Sequence, residues 1–185
     1  RARIPQRLNE EQASRVELRQ ENVLSVATEP VDSILAMNFS YYIFQKREEM
    51  RRYFEAVHAA LVDDGLFLLD AYGGSEAFAE IEEDREIDGF TYVWEQQTYH
   101  PVTGIAVNAI HFQFPDGSEL RNAFEYTWRL WTLPEIREIL VEAGFRDVVV
   151  YWEGEDEDGE GNGEWSVTDA GEACEGWIAY IVGVK

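Results

Sequence analysis

Apolar residues recur with three different spacings along this chain. Residues 31–37 (VDSILAM) form an almost continuous apolar run, the pattern of a strand buried on both faces. Between 46 and 62, Met50, Tyr53, Phe54, Val57 and Leu61 fall at helical spacing with Arg and Glu between them. Asp63-Asp64-Gly65 stops that helix, and 66–69 is a second short buried strand closing at Asp70. Strand, helix and strand in this order predict a βαβ crossover with two parallel strands side by side. In open α/β sheets ligands sit beyond the carboxyl ends of such strands. Residues 38–42 and 70–72, which are polar or aromatic, are therefore the first places to look for chemistry.

On either side of this unit the spacing changes. Residues 1–15 are polar and read as the end of a helix or an ordered loop. Residues 16–20 alternate with period two, as in a strand with one solvated face. Residues 75–88 read as an acidic helix or loop. From 90 to 130 the period is two almost throughout: Phe90, Tyr92 and Trp94, then Ile105 to Phe114, then Leu120, Phe124, Tyr126 and Trp128. A phase change at Ala109-Ile110 marks a bulge. Turns at 101–104 (PVTG) and 115–118 (PDGS) separate the runs. This predicts a three-stranded antiparallel meander, so 75–131 reads as an insert in a single α/β domain covering 1–185. Thr132-Leu133-Pro134-Glu135 is a capping box with Pro in the first turn. It opens a helix with Leu133, Ile136, Ile139, Leu140 and Ala143 on its buried stripe, stopped by Gly144. Residues 145–152 and 177–184 read as strands, and 153–164 as an acidic, Gly-rich connection.

Charge narrows the function classes. The net charge is −22, from 37 acids against 15 bases, and a phosphate backbone or anionic membrane needs a cationic face. No nucleic-acid or membrane partner is expected, and no apolar run reaches the length of a membrane-spanning helix. The single cysteine, Cys174, excludes an internal disulfide and suggests a reducing, cytoplasmic setting. It reads as a small packed hydrophobe rather than a nucleophile, because no nearby His accompanies it. The chain opens at Arg1-Ala2-Arg3 and is expected to begin within a longer protein.

Few residues carry unmistakable chemistry. Asp156, Asp158, Glu160 and Gly161 imitate the start of a calcium loop, but Val167 stands where the twelfth position requires Glu. No zinc-ligand spacing, Ser/His/Asp order or phosphate-binding loop occurs, and no metal is expected. His111, on the second strand of the meander, is a candidate general base for a hydroxyl or amine substrate. A lone His on a strand is more often structural. His58 on a helix and His100 at a turn have weaker claims.

The order and spacing of several phrases make the chain similar to the C-terminal two-thirds of class I S-adenosylmethionine-dependent methyltransferases. These phrases are VELRQENVLSV, VDSILAMNFSYYIF, LVDDGLFLLDAYGG, RLWTLPEIREILVEAGFRDVVVY and WIAYIVGVK. The resemblance implies a Rossmann-like sheet in the order 3-2-1-4-5-7-6 with strand 7 antiparallel. On that mapping 16–20 is strand 3, 31–37 strand 4, 66–70 strand 5, 146–152 strand 6 and 177–184 strand 7. The family's first two βα units, with the Gly-rich turn that cradles the cofactor's methionine part, have no counterpart here. Two such units take roughly 60 residues. The sheet is thus expected to be incomplete, with strand 4 as an apolar edge.

The resemblance also implies site residues. Asn22 and Val23 match the loop after strand 3 that meets the adenine. Asn38, Phe39 and Ser40 match the loop after strand 4 beside the methyl sulfonium, without the Asn-Pro-Pro-Tyr signature of amide or ring-nitrogen methylation. Tyr41, Tyr42 and Tyr72 are candidate walls of a substrate cavity or cation–π partners of the sulfonium; packing under the meander is the alternative. Arg129, like His111, lies in the insert that would lid the site. The implied cofactor is S-adenosylmethionine, and the implied function is methyl transfer to an N, O or C nucleophile of a small molecule. As it stands the chain is expected to bind cofactor poorly. The alternative is a non-catalytic interaction module that pairs through the exposed edge, for example as a homodimer.

Overall fold

The helix predicted over 46–62 forms over Arg47–Ala60 (α2). Lys46 supplies no side-chain cap, but Glu48 and Glu49 in the first turn and His58 in the last complement the helix dipole. Met50, Tyr53, Phe54 and Val57 are its buried face. The flanking strands are β1 (Val31–Ala36) and β2 (Leu61–Gly73), and they pair in parallel. The Asp63-Asp64-Gly65 break falls inside the range of β2. Asp64 has φ 63°, the register shifts there, and a Cβ on Gly65 would lie 2.8 Å from the Val62 carbonyl oxygen.

The computed structural model describes residues 7–155 and 161–185. The acidic residues Asp156, Asp158 and Glu160 of the calcium-like stretch lie outside them. Near the start, α1 (Glu10–Ser14) is closed by a capping box between Asn9 and Gln12. Beyond the crossover come β3 (Ile81–Ile87), β4 (Phe90–His100), β5 (Ile105–Gln113) and β6 (Glu119–Arg129). Then follow α3 (Leu133–Glu142), β7 (Asp147–Glu155), β8 (Gly161–Val167) and β9 (Trp177–Val184). Two sheets result, in the orders β1-β2-β9-β7-β8 and β3-β4-β5-β6. The first reproduces the expected 4-5-7-6 order, with β9 antiparallel to both β2 and β7. The mixed α/β, Rossmann-like class with an antiparallel meander holds. Among the described residues no helix is long and apolar enough to cross a membrane.

Four expectations need correction. Residues 16–20 form no strand. A period-two segment becomes a strand only when a neighbour completes its ladder. Here Arg19 instead ties the segment to Ala27 O at 3.0 Å and Glu21 at 2.7 Å. The second correction is β1, which is not buried on both faces: Leu35 is 62% exposed. The reason is that α2 and α3 pack on one face of the sheet, against Phe67, Leu69, Val150 and Ile181. Leu35, Leu66 and Ile178 point to the other face and are exposed. Third, the acidic stretch 75–88 is a 3-10 turn (Ser75–Phe78) followed by β3, so the meander has four strands. Glu82, Glu83, Asp84 and Glu86 concealed the strand because β3 is a solvated edge, where charges resist further pairing. Fourth, the connection at 153–164 contributes β8, which pairs with β7.

The remaining signals translate directly. The bulge lies between Ile110 and Phe112. Thr132 and Glu135 cap α3 reciprocally, and Gly144 takes φ 108° just beyond its end.

Candidate active site

The chain reverses sharply where β1 ends. Asn38 and Phe39 both adopt left-handed backbone, φ 58° and 54°. Such a conformation costs of order 1–3 kcal/mol for each non-glycine residue. The opposing force comes from Asp70 near the end of β2, a buried carboxylate. The N–H of Asn38 donates to its Oδ2 at 2.8 Å and the N–H of Phe39 to its Oδ1 at 2.9 Å. Hydrogen bonds to a charged group contribute about 1.5–3 kcal/mol each, enough to offset the backbone strain. The parallel pairing of β1 with β2 therefore does more than build a sheet. It brings the carboxylate alongside the turn.

Past the turn the backbone enters a 3-10 helix, Ser40–Ile43. Asn38 and Ser40 remain exposed. Tyr41 and Tyr42 point inward and are fully buried. The Tyr41 hydroxyl donates to the Asp70 carbonyl at 2.6 Å, and that of Tyr42 reaches the Trp131 carbonyl at 3.4 Å. Burial pushes both phenols well above their ordinary pKa. The Tyr42 ring lies 5.9 Å from that of Phe39 and is backed in turn by Tyr41 at 5.1 Å. The Phe39 ring stays half-buried, 4.7 Å from Tyr72 and 6.4 Å from Trp128.

The meander supplies the facing wall. Alternation puts Trp94, Gln96, Asn108, Tyr126 and Trp128 on one side of the sheet. Trp128 is the hub, with ring centroids 4.6 Å from Tyr126, 6.0 Å from Trp94 and 6.2 Å from Tyr42. Gln96 donates to the Glu76 and Ala79 carbonyls and so anchors β4 to the turn after β2. Asn108 is fully buried, and among the described residues neither its amide oxygen nor its nitrogen makes a hydrogen bond of normal geometry. The same holds for the Tyr72 hydroxyl. Burial raises the Tyr72 pKa to about 12, and a weak hydrogen-bond interaction with the Asn108 side chain pulls the other way. Buried polar groups so poorly satisfied are costly, which marks this pair as a place for a further hydrogen bond.

Other predicted site residues lie elsewhere. His111 pairs with Val93 across the meander and stands on the opposite sheet face from Trp94 and Asn108. Its ring is fully buried and engaged at both nitrogens. Nδ1 accepts from the Asn122 N–H at 2.8 Å, and Nε2 lies 2.8 Å from a Glu95 carboxylate oxygen. A nitrogen that accepts an N–H carries no proton, so the ring proton is on Nε2 and is donated to Glu95. Asn122 reaches the ring by adopting φ 49° within the β6 bulge. Glu82, Glu95 and His111 bring their ligand atoms within 4.8 Å of one another, but the ring has no lone pair left for a cation.

Arg129 stacks its guanidinium 3.7 Å over Trp131, pairs with Glu135 at 2.8 Å and donates to Gln45 O at 3.3 Å. It ties β6 to α3. Asn22 and Val23 sit in a local turn, where the Asn22 side chain accepts from the Leu24 N–H at 2.9 Å. The structure thus brings together Asn38, Phe39 and Tyr72, backed by Tyr42 and Tyr41. It adds Asp70, Asn108, Trp94, Tyr126 and Trp128. The aromatic members were implicit in the period-two pattern. Asn108 carried no sequence signal, since an Asn within a strand is most simply read as solvated.

Beyond Tyr72 an open cleft of about 610 Å³ runs over the ends of β2, β7 and β9. Its sides include Phe78, Leu133, Trp152 and Trp177, and the segment 171–175 forms its lip.

No protein-family model matches the sequence, and no curated protein matches it significantly. Solved structures do match. A S-adenosylmethionine-dependent methyltransferase from Clostridium acetobutylicum shares 19% identity, with a TM-score of 0.61 over 88% of this chain and 62% of its own. The CcbJ methyltransferase from Streptomyces caelestis gives a TM-score of 0.63 at 10% identity, over 89% of this chain and 66% of its own. The sugar N-methyltransferase KedS8 from Streptoalloteichus gives 0.59 at 16% identity, over all of this chain and 66% of its own. The fold is that of class I S-adenosylmethionine-dependent methyltransferases. The chain spans slightly under two thirds of the length of these neighbours.

Proposed function

We propose that this chain forms the acceptor side of a methyltransferase. Its reaction would move a methyl group from S-adenosylmethionine to an N, O or C nucleophile of a small molecule. The observation that carries this reading is the Asp70-clamped turn, which holds Phe39 against the aromatic face of the meander beside the poorly satisfied Asn108 and Tyr72 pair. The fold is consistent with it, and neighbours named as sugar and amino-pentose methyltransferases support a small-molecule acceptor. Residues 75–131 would act as the lid of the site. A cytoplasmic setting, suggested by the single cysteine, belongs to the same proposal.

The fit to the cofactor is partial. Asn38, Phe39 and Ser40 would hold the sulfonium end, where aromatic faces favour a cation. The glycines near the site do not cradle it. A Cβ on Gly73 would strike the Trp177 ring at 2.2 Å, and one on Gly74 the Glu175 carbonyl at 2.2 Å, so both serve packing. The adenosyl end would be gripped by further chain docked on the free edge of β1. The cofactor, when bound, supplies an already activated methyl group. Phe39, Tyr72 and Trp128 position the acceptor and exclude water, and Asn108 orients the nucleophile. Calorimetry with S-adenosylhomocysteine on this chain, and on one extended upstream of Arg1, tests the proposal. Binding should be weak to the first and tight to the second. Equal, tight binding to both would defeat the idea that the cofactor grip lies in additional chain.

A second reading is an interaction module without catalysis. The exposed Leu35, Leu66 and Ile178 on the uncovered face of the first sheet favour it. Dimerisation through that region by a protein that ignores the cofactor even when extended would support it over the first.

A further inference from the structure

We infer that the cleft beyond Tyr72 is a binding site for a planar apolar group carrying a positive charge, and that it holds the body of the methyl acceptor. The second half of this inference rests on the methyltransferase reading; the first does not.

The walls come first. Trp152 and Trp177 lie side by side with ring centroids 5.1 Å apart. Phe78 and Leu133 complete an apolar surround, and Tyr72 closes the end toward Phe39. A volume of about 610 Å³ lies within the range of small-molecule sites.

The backbone is also built around these rings. A Cβ on Gly73 would overlap the Trp177 ring, and a Cβ on Gly171 would come within 2.7 Å of the Trp152 ring. Each tryptophan is packed flat against a glycine that leaves it room. The lip is pinned to the start of the 3-10 turn. Ser75 N–H donates to the Cys174 carbonyl at 3.4 Å and Glu76 N–H to the Glu175 carbonyl at 2.9 Å. Gly74, at φ 111°, permits that contact. Two tryptophans, a tyrosine and a phenylalanine held open by glycines and a hydrogen-bonded lip form a preorganised aromatic slot.

Charge sets the ligand's sign. Glu172 and Glu175 stand on the lip, and no Lys or Arg is among the residues lining the cleft. Aromatic faces attract cations, and the chain as a whole is strongly acidic. An anionic group at the lip would meet repulsion from Glu172 and Glu175, the charged side chains that line the cleft. Tyr72 lines the end of the slot nearest Phe39, 4.7 Å away ring to ring, and so joins the cleft to the Asp70-clamped turn.

The test uses naphthylmethylamine and naphthylacetate, which share a ring system and differ in charge. Binding is followed by the indole N–H resonances of Trp152 and Trp177, assigned with Trp152→Phe and Trp177→Phe. The amine should shift both resonances saturably, and the acetate should bind more weakly. The surface variant Glu172→Gln/Glu175→Gln keeps the walls intact and should weaken the amine up to about fivefold, the scale of exposed charge pairs. Gly171→Ala should displace Trp152 and abolish binding. Unshifted indoles with the amine, equal affinity for the acetate, or an unaffected double variant would each overturn the assignment. S-adenosylhomocysteine is titrated into the upstream-extended protein in parallel. Cofactor binding without cleft binding refutes the cleft alone. Cleft binding without cofactor binding refutes methyl transfer and leaves a cation site.

Discussion

The Asp70 carboxylate holds the backbone of Phe39, with one oxygen accepting its N–H at 2.9 Å and the other that of Asn38 at 2.8 Å. The residues are far apart in sequence and meet because β1 and β2 pair in parallel. One side chain thereby fixes where the Phe39 ring faces Tyr72 and Trp128.

Asp70→Asn keeps one acceptor but turns an NH₂ toward an N–H donor. The variant should lose about 2 kcal/mol in denaturant unfolding. In the upstream-extended protein it should also weaken S-adenosylhomocysteine binding, read by calorimetry. An unchanged unfolding midpoint would show that the turn holds itself.

His111→Gln separates structure from catalysis. Both ring nitrogens are committed to Asn122 and Glu95. Losing them should cost about 1–3 kcal/mol of stability. The pH profile of the proposed methyl transfer, read in the upstream-extended protein, should keep its shape, because the ring lies on the far face of the meander. A missing limb in that profile would restore His111 as a general base.

Glu95 gives the meander an acid sensitivity. Hydrogen bonds from Gln97 and then from His111 hold its carboxyl below the usual range. A depressed folded pKa means that the contribution is complete above the unfolded carboxylate value. It is lost as pH falls through the lower folded value. Glu95→Gln should therefore lower stability slightly near neutral pH, where that contribution is present, and flatten the further loss on acidification seen by tryptophan fluorescence. Parallel acid titrations of the two proteins would contradict this.

Tyr72→Phe removes a buried hydroxyl that makes no hydrogen bond of normal geometry and only a weak interaction with Asn108. Stability should change little, because burying the hydroxyl costs about as much as that interaction returns. Methyl-transfer activity in the upstream-extended protein should fall if the hydroxyl meets the acceptor. A destabilised variant would reveal a stronger partner in the folded protein.

Arg129→Lys keeps the charge but gives up the planar stack on Trp131 and the forked contacts to Glu135 and Gln45. A loss of about 1 kcal/mol is expected, read as a lower thermal midpoint. No change would mean that the link from β6 to α3 rests on apolar packing alone.

Local rules were enough for much of this protein. The stripe Met50–Leu61, the Thr132/Glu135 box, the PDGS turn and the alternation of Trp94, Tyr126 and Trp128 are short-range patterns. They gave the elements, the crossover and the meander, because helix and strand periodicity is written within a few residues. The strand order followed from those elements together with the family likeness. What local pattern could not carry was anything that depends on a neighbour. Residues 16–20 alternate like a strand but form a loop in which Arg19 reaches Ala27 and Glu21, and β3 hides in acids because it is an edge. Leu35 reads as core and is exposed because none of the described helices covers its face. His111 looked like chemistry until its two ring nitrogens met Glu95 and Asn122. Asn108 carried no local signal and is buried because its face of the meander packs toward Tyr72. Alternation sets which face a side chain joins, but only packing across long sequence separations decides what stands on that face.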